Sequence, residues 1–229
     1  MILSVHIADV GLRATPAVLR ARPRGEGLLW GLPVLTAPLA AGRDRRPKPG
    51  RVGLMAGWDD DAALDRFLAE DPLARRLAGG WHTRLEPLRV SGEWSPLPGL
   101  SMAERPVADD EPVAVLTLGR LRLTRIVPFL RASTPAERGA VEHPAVLDST
   151  AFARPPHVVS TFSLWRTAAE MREYAYGKQR DEHLSAIRAH RAKPFHHESV
   201  FARFRPYASR GAWNGRDPLA ARVAQPVPG

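Results

Sequence analysis

The chain has 229 residues, 44% hydrophobic and 25% charged, a globular balance that excludes a disordered, collagenous or disulfide-stapled protein. It contains no Cys, which removes thiolate catalysis, Cys-bound zinc, iron–sulfur ligation and thiolate-ligated haem, so any metal or haem iron must be held by His, carboxylate, Tyr or Met. The 33 basic residues against 24 acidic ones leave a net charge of +9, which raises nucleic acid, an anionic membrane or an acidic ligand as partners.

In chain order, Ile2–Asp9 reads as a strand, Pro16–Arg22 as a short helix, Gly27–Leu35 and Arg51–Trp58 as strands. Asp60–Leu77 reads as a helix, with an N-cap carboxylate from Trp58-Asp59-Asp60 ahead of Leu64, Phe67 and Leu68, and Trp81–Val90 as a strand. A join from Gly92 to Pro112 carries four Pro and reads as a linker. Beyond it come a strand at Val113–Leu118, a helix at Arg125–Arg131, a weakly marked strand within Ala145–Phe152 and a strand at Val158–Trp165. Thr167–Arg191 then reads as helical, capped by Thr167, with Met171, Tyr174 and Ala175 as its buried stripe and Gly177 breaking it in two. Ser199–Tyr207 closes the series as a strand. The stretches 37–50 and 133–156 read as irregular, and the tail after Trp213 as loosely ordered.

The second half repeats the first. PAVLRA at 16–21 returns as VPFLRA at 127–132, the stretch 50–68 matches 156–175 with Trp58 falling on Trp165, and VSGEW at 90–94 matches SRGAW at 209–213. The order β-α-β-β-α-β twice over is a tandem of ferredoxin-like units, α+β in class, whose sheets bury their faces against each other in one chain. The division expected is a first repeat at 1–92, a Pro-rich linker at 93–111, a second repeat at 112–213 that carries the chemistry, and a tail at 214–229.

The start of the chain lacks the basic region and cleavage site of a secretory signal, and its longest apolar run, broken by Pro33 and Pro38, falls short of the roughly 20 residues that span a bilayer. A soluble, cytoplasmic protein is expected, with peripheral membrane association left open. Arg22, Arg24, Arg43, Arg45 and Arg46 have no nucleic-acid-binding motif beside them, and dinucleotide, P-loop, nucleophile-elbow and zincin signatures are missing, so no nucleic-acid partner is expected.

The chemistry-bearing residues crowd into the second half. His183 sits on a helix beside Ile187, where a histidine can ligate iron, though a lone helical His is more often a surface or satisfied core residue. His196-His197-Glu198 has metal-ligand residue types, but neighbours on a strand point to opposite faces and cannot easily share one ion. After it, Phe201, Arg203 and Arg205 alternate with Val200, Ala202 and Phe204, which puts guanidinium and aromatic groups on one face and apolar groups on the other. An Arg on such a face either binds a carboxylate bidentately or stacks at an exposed surface.

Five segments in register, Ser160–Trp165, Met171–Tyr176, His183–Arg188, Glu198–Phe204 and Gly211–Leu219, resemble the spheroidene monooxygenase family of carotenoid ketolases. The repeat pattern is similar to the dimeric α+β barrel superfamily. The resemblance implies a haem-dependent monooxygenase that uses O2 and reduced ferredoxin on a small hydrophobic substrate, a carotenoid or another secondary metabolite, with haem b as cofactor and a monomer or homodimer as the assembly. It implies His183 as the iron ligand, Arg203 as a propionate anchor or distal donor, Arg188 for the second propionate, and Trp165, Tyr176 and Phe204 packed around the macrocycle. The chain departs from the family pattern at Phe195, where Trp is common, and at Glu182, where Pro is common. A haem lyase of the aldoxime-dehydratase kind and a haem-free ligand-binding barrel are the competing readings.

Overall fold

The computed structural model describes residues 1–39, 48–100, 106–176 and 195–220. The first half runs β1 (Ile2–Asp9), α1 (Gly11–Arg20), β2 (Leu28–Ala37), β3 (Arg51–Trp58), α2 (Asp61–Glu70), α3 (Pro72–Leu77) and β4 (Trp81–Gly92). The second runs β5 (Val113–Leu121), α4 (Ile126–Glu142), β6 (Val146–Arg154), β7 (Val158–Trp165), α5 (Ala168–Tyr176) and β8 (His196–Gly211). All strand pairs are antiparallel, and the order β1-β3-β2-β6-β7-β5-β8-β4 closes on itself. Each half contributes a ferredoxin-like sheet, and two seams join them: a short one, β2 with β6 from Leu35↔Ala153 to Ala37↔Ala151, and a long one, β4 with β8 from Trp81↔Gly211 to Gly92↔Val200. The fold is therefore two tandem ferredoxin-like repeats forming a dimeric α+β barrel within one chain.

Period-two alternation decides what fills the barrel. Leu3, Val5 and Ile7 of β1, Trp81 and Leu85 of β4, Ala114, Leu116 and Leu118 of β5, Phe162 and Leu164 of β7 and Val200, Ala202 and Phe204 of β8 all point inward into one buried cluster. The interior is a core of side chains, with Phe162 stacked on Phe152 and tilted against Trp81.

The duplication holds in three dimensions. Trp58 and Trp165 are the last residues of β3 and β7, and each donates its indole N–H to a serine hydroxyl, Ser4 and Ser163, at 2.9 Å. β4 and β8 both end at a left-handed glycine, Gly92 (φ 88°) and Gly211 (φ 91°), and two residues later each chain turns a tryptophan, Trp94 or Trp213, into an end of the barrel.

Several elements differ from the sequence reading. The expected Asp60–Leu77 helix is two, because Pro72 cannot donate to the first helix and instead opens α3, with Asp71 accepting from Leu73 N at 2.6 Å. Asp60 caps α2 through Ala63 N at 2.8 Å, and Thr167 caps α5 through Glu170 N at 3.2 Å, both as expected. The stretch after Arg131 is not irregular, since α4 continues to Glu142 and β6 follows it. Nor is the chain after Trp213 loose as far as Leu219, because Asp217 accepts from the Trp81 indole at 2.9 Å and from Ser209 at 2.7 Å while Trp213 and Leu219 are buried. The expected helical continuation to Arg191, with its break at Gly177, lies outside the described residues.

Candidate functional site

The outer faces of the two sheets have different fates. In the first repeat, Val52, Leu54, Ala56 and Trp58 of β3 are fully buried beneath the helices, against Val18, Leu64, Phe67, Leu73 and Leu77. Superposing Trp165 on Trp58 sets Ser163 opposite Ala56, Thr161 opposite Leu54 and Val159 opposite Val52. Where the first repeat is greasy and filled, the second is small and polar. Thr161 and Val159 are half-buried, and among the described residues the apolar cluster on this face gathers around Trp165, Val113, Val115, Ala168 and Met171 beside α5.

Strand register extends this into a shelf. One row across the sheet is Ser149, Ser163, Val115 and Arg203, and the next is Ala151, Thr161, Thr117 and Phe201. The Thr117 and Thr161 hydroxyls bond each other at 2.6 Å, whereas the buried Ser149 hydroxyl has no partner among the described residues. At one margin Gly119 leaves room for the His196 ring, which would lie 2.5 Å from a Cβ placed there and which sits edge-on to Phe129. The opposite margin is cationic.

That margin is built by β8 and α5. Arg203 donates to the Tyr176 hydroxyl at 2.8 Å, and its guanidinium lies 5.6 Å from the Tyr176 ring and 5.7 Å from the Phe201 ring. Across the long seam Arg203 opposes Arg89, while Arg205 pairs with Glu86 at 2.5 Å. The Nε atoms of Arg203 and Arg205 are buried and have no acceptor among the described residues. The buried Nε of Arg203, without an acceptor among the described residues, makes this margin a place for an anion, since a planar fork with a spare N–H suits a carboxylate.

The structure brings together Arg203 and Tyr176, and it sets Trp165 on the same outer face, buried beside Tyr174 and His143. It does not bring Phe204 to them: one position along β8 from Arg203, its ring is fully buried in the barrel interior, as strand alternation requires. His183 and Arg188 lie outside the described residues. Glu198 of the His-His-Glu run closes onto Arg120 at 2.7 Å and onto the backbone N–H and hydroxyl of Ser95 at 3.0 and 2.5 Å. Burial pushes its carboxyl up, but those bonds outweigh burial and hold it below the usual carboxylate range. Among the described residues no group of three His, Asp or Glu side chains is placed to hold a metal ion. Sequence reasoning missed Thr117, Thr161, Ser163 and Ser149, although the Trp58–Trp165 match carried the signal in the replacement of Leu54 by Thr161.

No family model matches the chain. The spheroidene monooxygenase of Rhodobacter capsulatus is 31% identical to it over 188 residues, which is 78% of this chain and 77% of that protein. The spheroidene monooxygenase of Rubrivivax gelatinosus is 32% identical over 181 residues, 75% of this chain and 66% of its own length. Among solved structures, an aldoxime dehydratase in complex with butyraldoxime superposes with a TM-score of 0.50 at 10% identity, covering 90% of this chain and 79% of that one, a likeness of fold.

Proposed function

The chain belongs to the spheroidene monooxygenase family, and from that premise we propose a haem-dependent monooxygenase that oxidises a lipophilic small molecule, a carotenoid in the first instance, on the outer face of the second repeat. The observation that carries this reading is the contrast between the repeats. One outer face is filled by large apolar side chains, and its twin carries, among the described residues, small and polar side chains in rows that end at Arg203 and Phe201.

A flat, apolar group with two carboxylates fits such a surface. Small residues let a plane lie against the sheet, and the unsatisfied Arg203 Nε with the neighbouring Arg205 offers donors for a propionate. Haem b, when bound, supplies the reductive activation of O2. The chain's own residues do the rest. His183 would hold the iron, and Arg188 would meet the second propionate. Arg203, oriented by Tyr176, would anchor the first propionate or hold a proton at its guanidinium, and Trp165 with Tyr174 would keep water from the α5 margin. Phe204 would act only through the barrel core.

The partners follow from the same reading: O2, a reduced ferredoxin or similar acidic donor, and a hydrophobic substrate, in a cytoplasmic protein that is a monomer or homodimer. No described helix is long and apolar enough to cross a membrane. Leu123 and Val127 at the start of α4 are nevertheless 61% and 57% exposed, beside Arg122, Arg125 and Arg131, and residues 112–136 contain no Asp or Glu. This suits transient contact with an anionic membrane in which a lipophilic substrate is dissolved.

The ultraviolet–visible spectrum of purified and haem-reconstituted protein tests the core of the proposal. A Soret band that His183→Ala abolishes is expected, together with substrate-dependent O2 uptake on addition of reduced ferredoxin. A band that survives His183→Ala moves the iron ligand to His190, His196 or another residue, and a protein that takes up no haem overturns the reading.

A further inference from the structure

The two ends of the barrel are closed by the same device with different results. Beyond β8, Trp213 packs its ring against Trp81 at 5.3 Å and Phe162 at 6.2 Å and fills its end. Beyond β4, residues 93–100 cross the other end as a strap, with Trp94, Leu97 and Leu100 all at most 3% exposed. The strap is fastened deliberately. Glu198 accepts from both polar groups of Ser95, Arg120 holds Glu198 from behind, and the Arg120 guanidinium also lies 5.5 Å from the centre of the Trp94 ring. Gly57 makes room for Leu97, which would lie 3.1 Å from a Cβ at that position.

Despite this fastening, the end is not filled. A cavity of about 250 Å³ remains between strap and barrel wall, lined by Val90, Trp94, Leu97, Leu100 and Val200, with Glu93 at its margin. Trp94 is 97% buried, and its indole N–H has no acceptor among the described residues. A buried donor without a partner is left paying its full desolvation penalty. Trp94 is one wall of a mixed apolar and polar cavity with space for about eight waters at ~30 Å³ each. Apolar side chains with a few polar groups among them, here Trp94, Ser95 and Glu93, are how proteins orient a small ligand. The Ser95–Glu198–Arg120 bonds tie the strap to β5 and β8 across this end.

We infer that the strap cavity is a second binding site, separate from the Arg203 shelf, which takes a small apolar molecule with one hydrogen-bond acceptor, a carbonyl, ether or hydroxyl oxygen bonded to Trp94 Nε1. It is separate because Val200 faces the barrel interior, whereas Phe201 and Arg203 face the outside of the same strand. The inference does not rest on the haem reading, since the residues that line the cavity are not those of the Arg203 shelf.

The probe is 2-octanone, with n-octane as the control that matches its apolar body and lacks the acceptor. In protein carrying ¹⁵N-labelled indoles, the Trp94 cross-peak is assigned by its loss in Trp94→Phe. Titration with the ketone is expected to move that cross-peak downfield and saturably, and n-octane is not. Calorimetric affinity for the ketone should fall at least tenfold in Trp94→Phe, which keeps the ring over Arg120, and binding should vanish in Leu97→Trp, which fills the hole. Leu100→Trp replaces the latter if it fails to fold. A Trp94 cross-peak that does not respond, or ketone binding unchanged in both Trp94→Phe and the filled variant, overturns the inference and leaves a hydrated void. Haem content measured in the same samples reports on the proposed function independently.

Discussion

Arg203 and Tyr176 stand 27 positions apart and meet only because β8 passes beneath the end of α5. Tyr176 is 62% exposed, so Tyr176→Phe should change stability by less than about 0.5 kcal/mol in urea unfolding. Because the lost bond orients Arg203, the same variant should lower substrate-dependent O2 uptake. Arg203→Ala should lower it further, by about 10- to 100-fold, and Arg203→Lys should rescue little, since an ammonium cannot reproduce a planar fork. A second prediction concerns the first repeat. His6 and His82 stack at 5.1 Å under the helices, and burial, with the Arg84 charge, holds both below the ordinary imidazole range, His82 at about 4. Both are neutral in the folded protein, and the unfolded chain binds their protons more readily. Stability is therefore complete above pH 6.5 and is lost as the pH falls from there toward 4, by about 3 kcal/mol for His82 alone. Thermal unfolding at a series of pH values should show this slope, and His82→Gln should flatten it. At this scale the sequence was legible where one strand carries the pattern, as at Val200–Arg205, whose two faces alternate as read. The shelf was not legible, because Thr117 and Thr161 are 44 positions apart and only the strand register sets their hydroxyls side by side.

Strands were easier to place than helices, for a physical reason. Each strand has one face in the barrel core, so its period-two pattern is strong, and even the weakly marked segment at 145–152 proved to hold β6. The helices cover faces of unequal demand. α4 mixes apolar, charged and proline residues along its length, and its second half was read as irregular. The α2–α3 break was legible in Asp71-Pro72 as a cap followed by a first-turn proline. The tryptophan plug after β8 was not, because nothing local shows that a Pro- and Gly-bearing tail folds back to cap a barrel. Gly211 makes that turn possible. A Cβ there would lie 2.0 Å from the Gly80 carbonyl oxygen, and φ is positive, so Gly211→Ala combines backbone strain with a steric clash. It should destabilise the protein by more than about 2 kcal/mol in chemical denaturation. Gly79→Ala, with nothing within 4 Å of the added methyl, should remain within about 1 kcal/mol of wild type.

For the molecule as a whole, the matched positions Leu54 and Thr161 provide a reciprocal test. Leu54→Thr in the closed repeat leaves a gap and an unpartnered hydroxyl in a fully buried site and should cost about 2–5 kcal/mol in unfolding experiments. Thr161→Leu in the open repeat should leave stability unchanged or raised, yet reduce haem uptake, measured by Soret absorbance after reconstitution. Equal stability losses from both changes would mean that the two faces are equivalent after all. The asymmetry also gives the fusion of the repeats a meaning beyond economy of assembly. In a barrel made of two identical chains, any substitution that hollows one outer face is made twice, and the assembly loses both of its lateral cores at once. Joining the copies into one chain lets heredity treat them separately: one half can stay conservative and carry the stability of the whole, while its twin is free to drift toward chemistry.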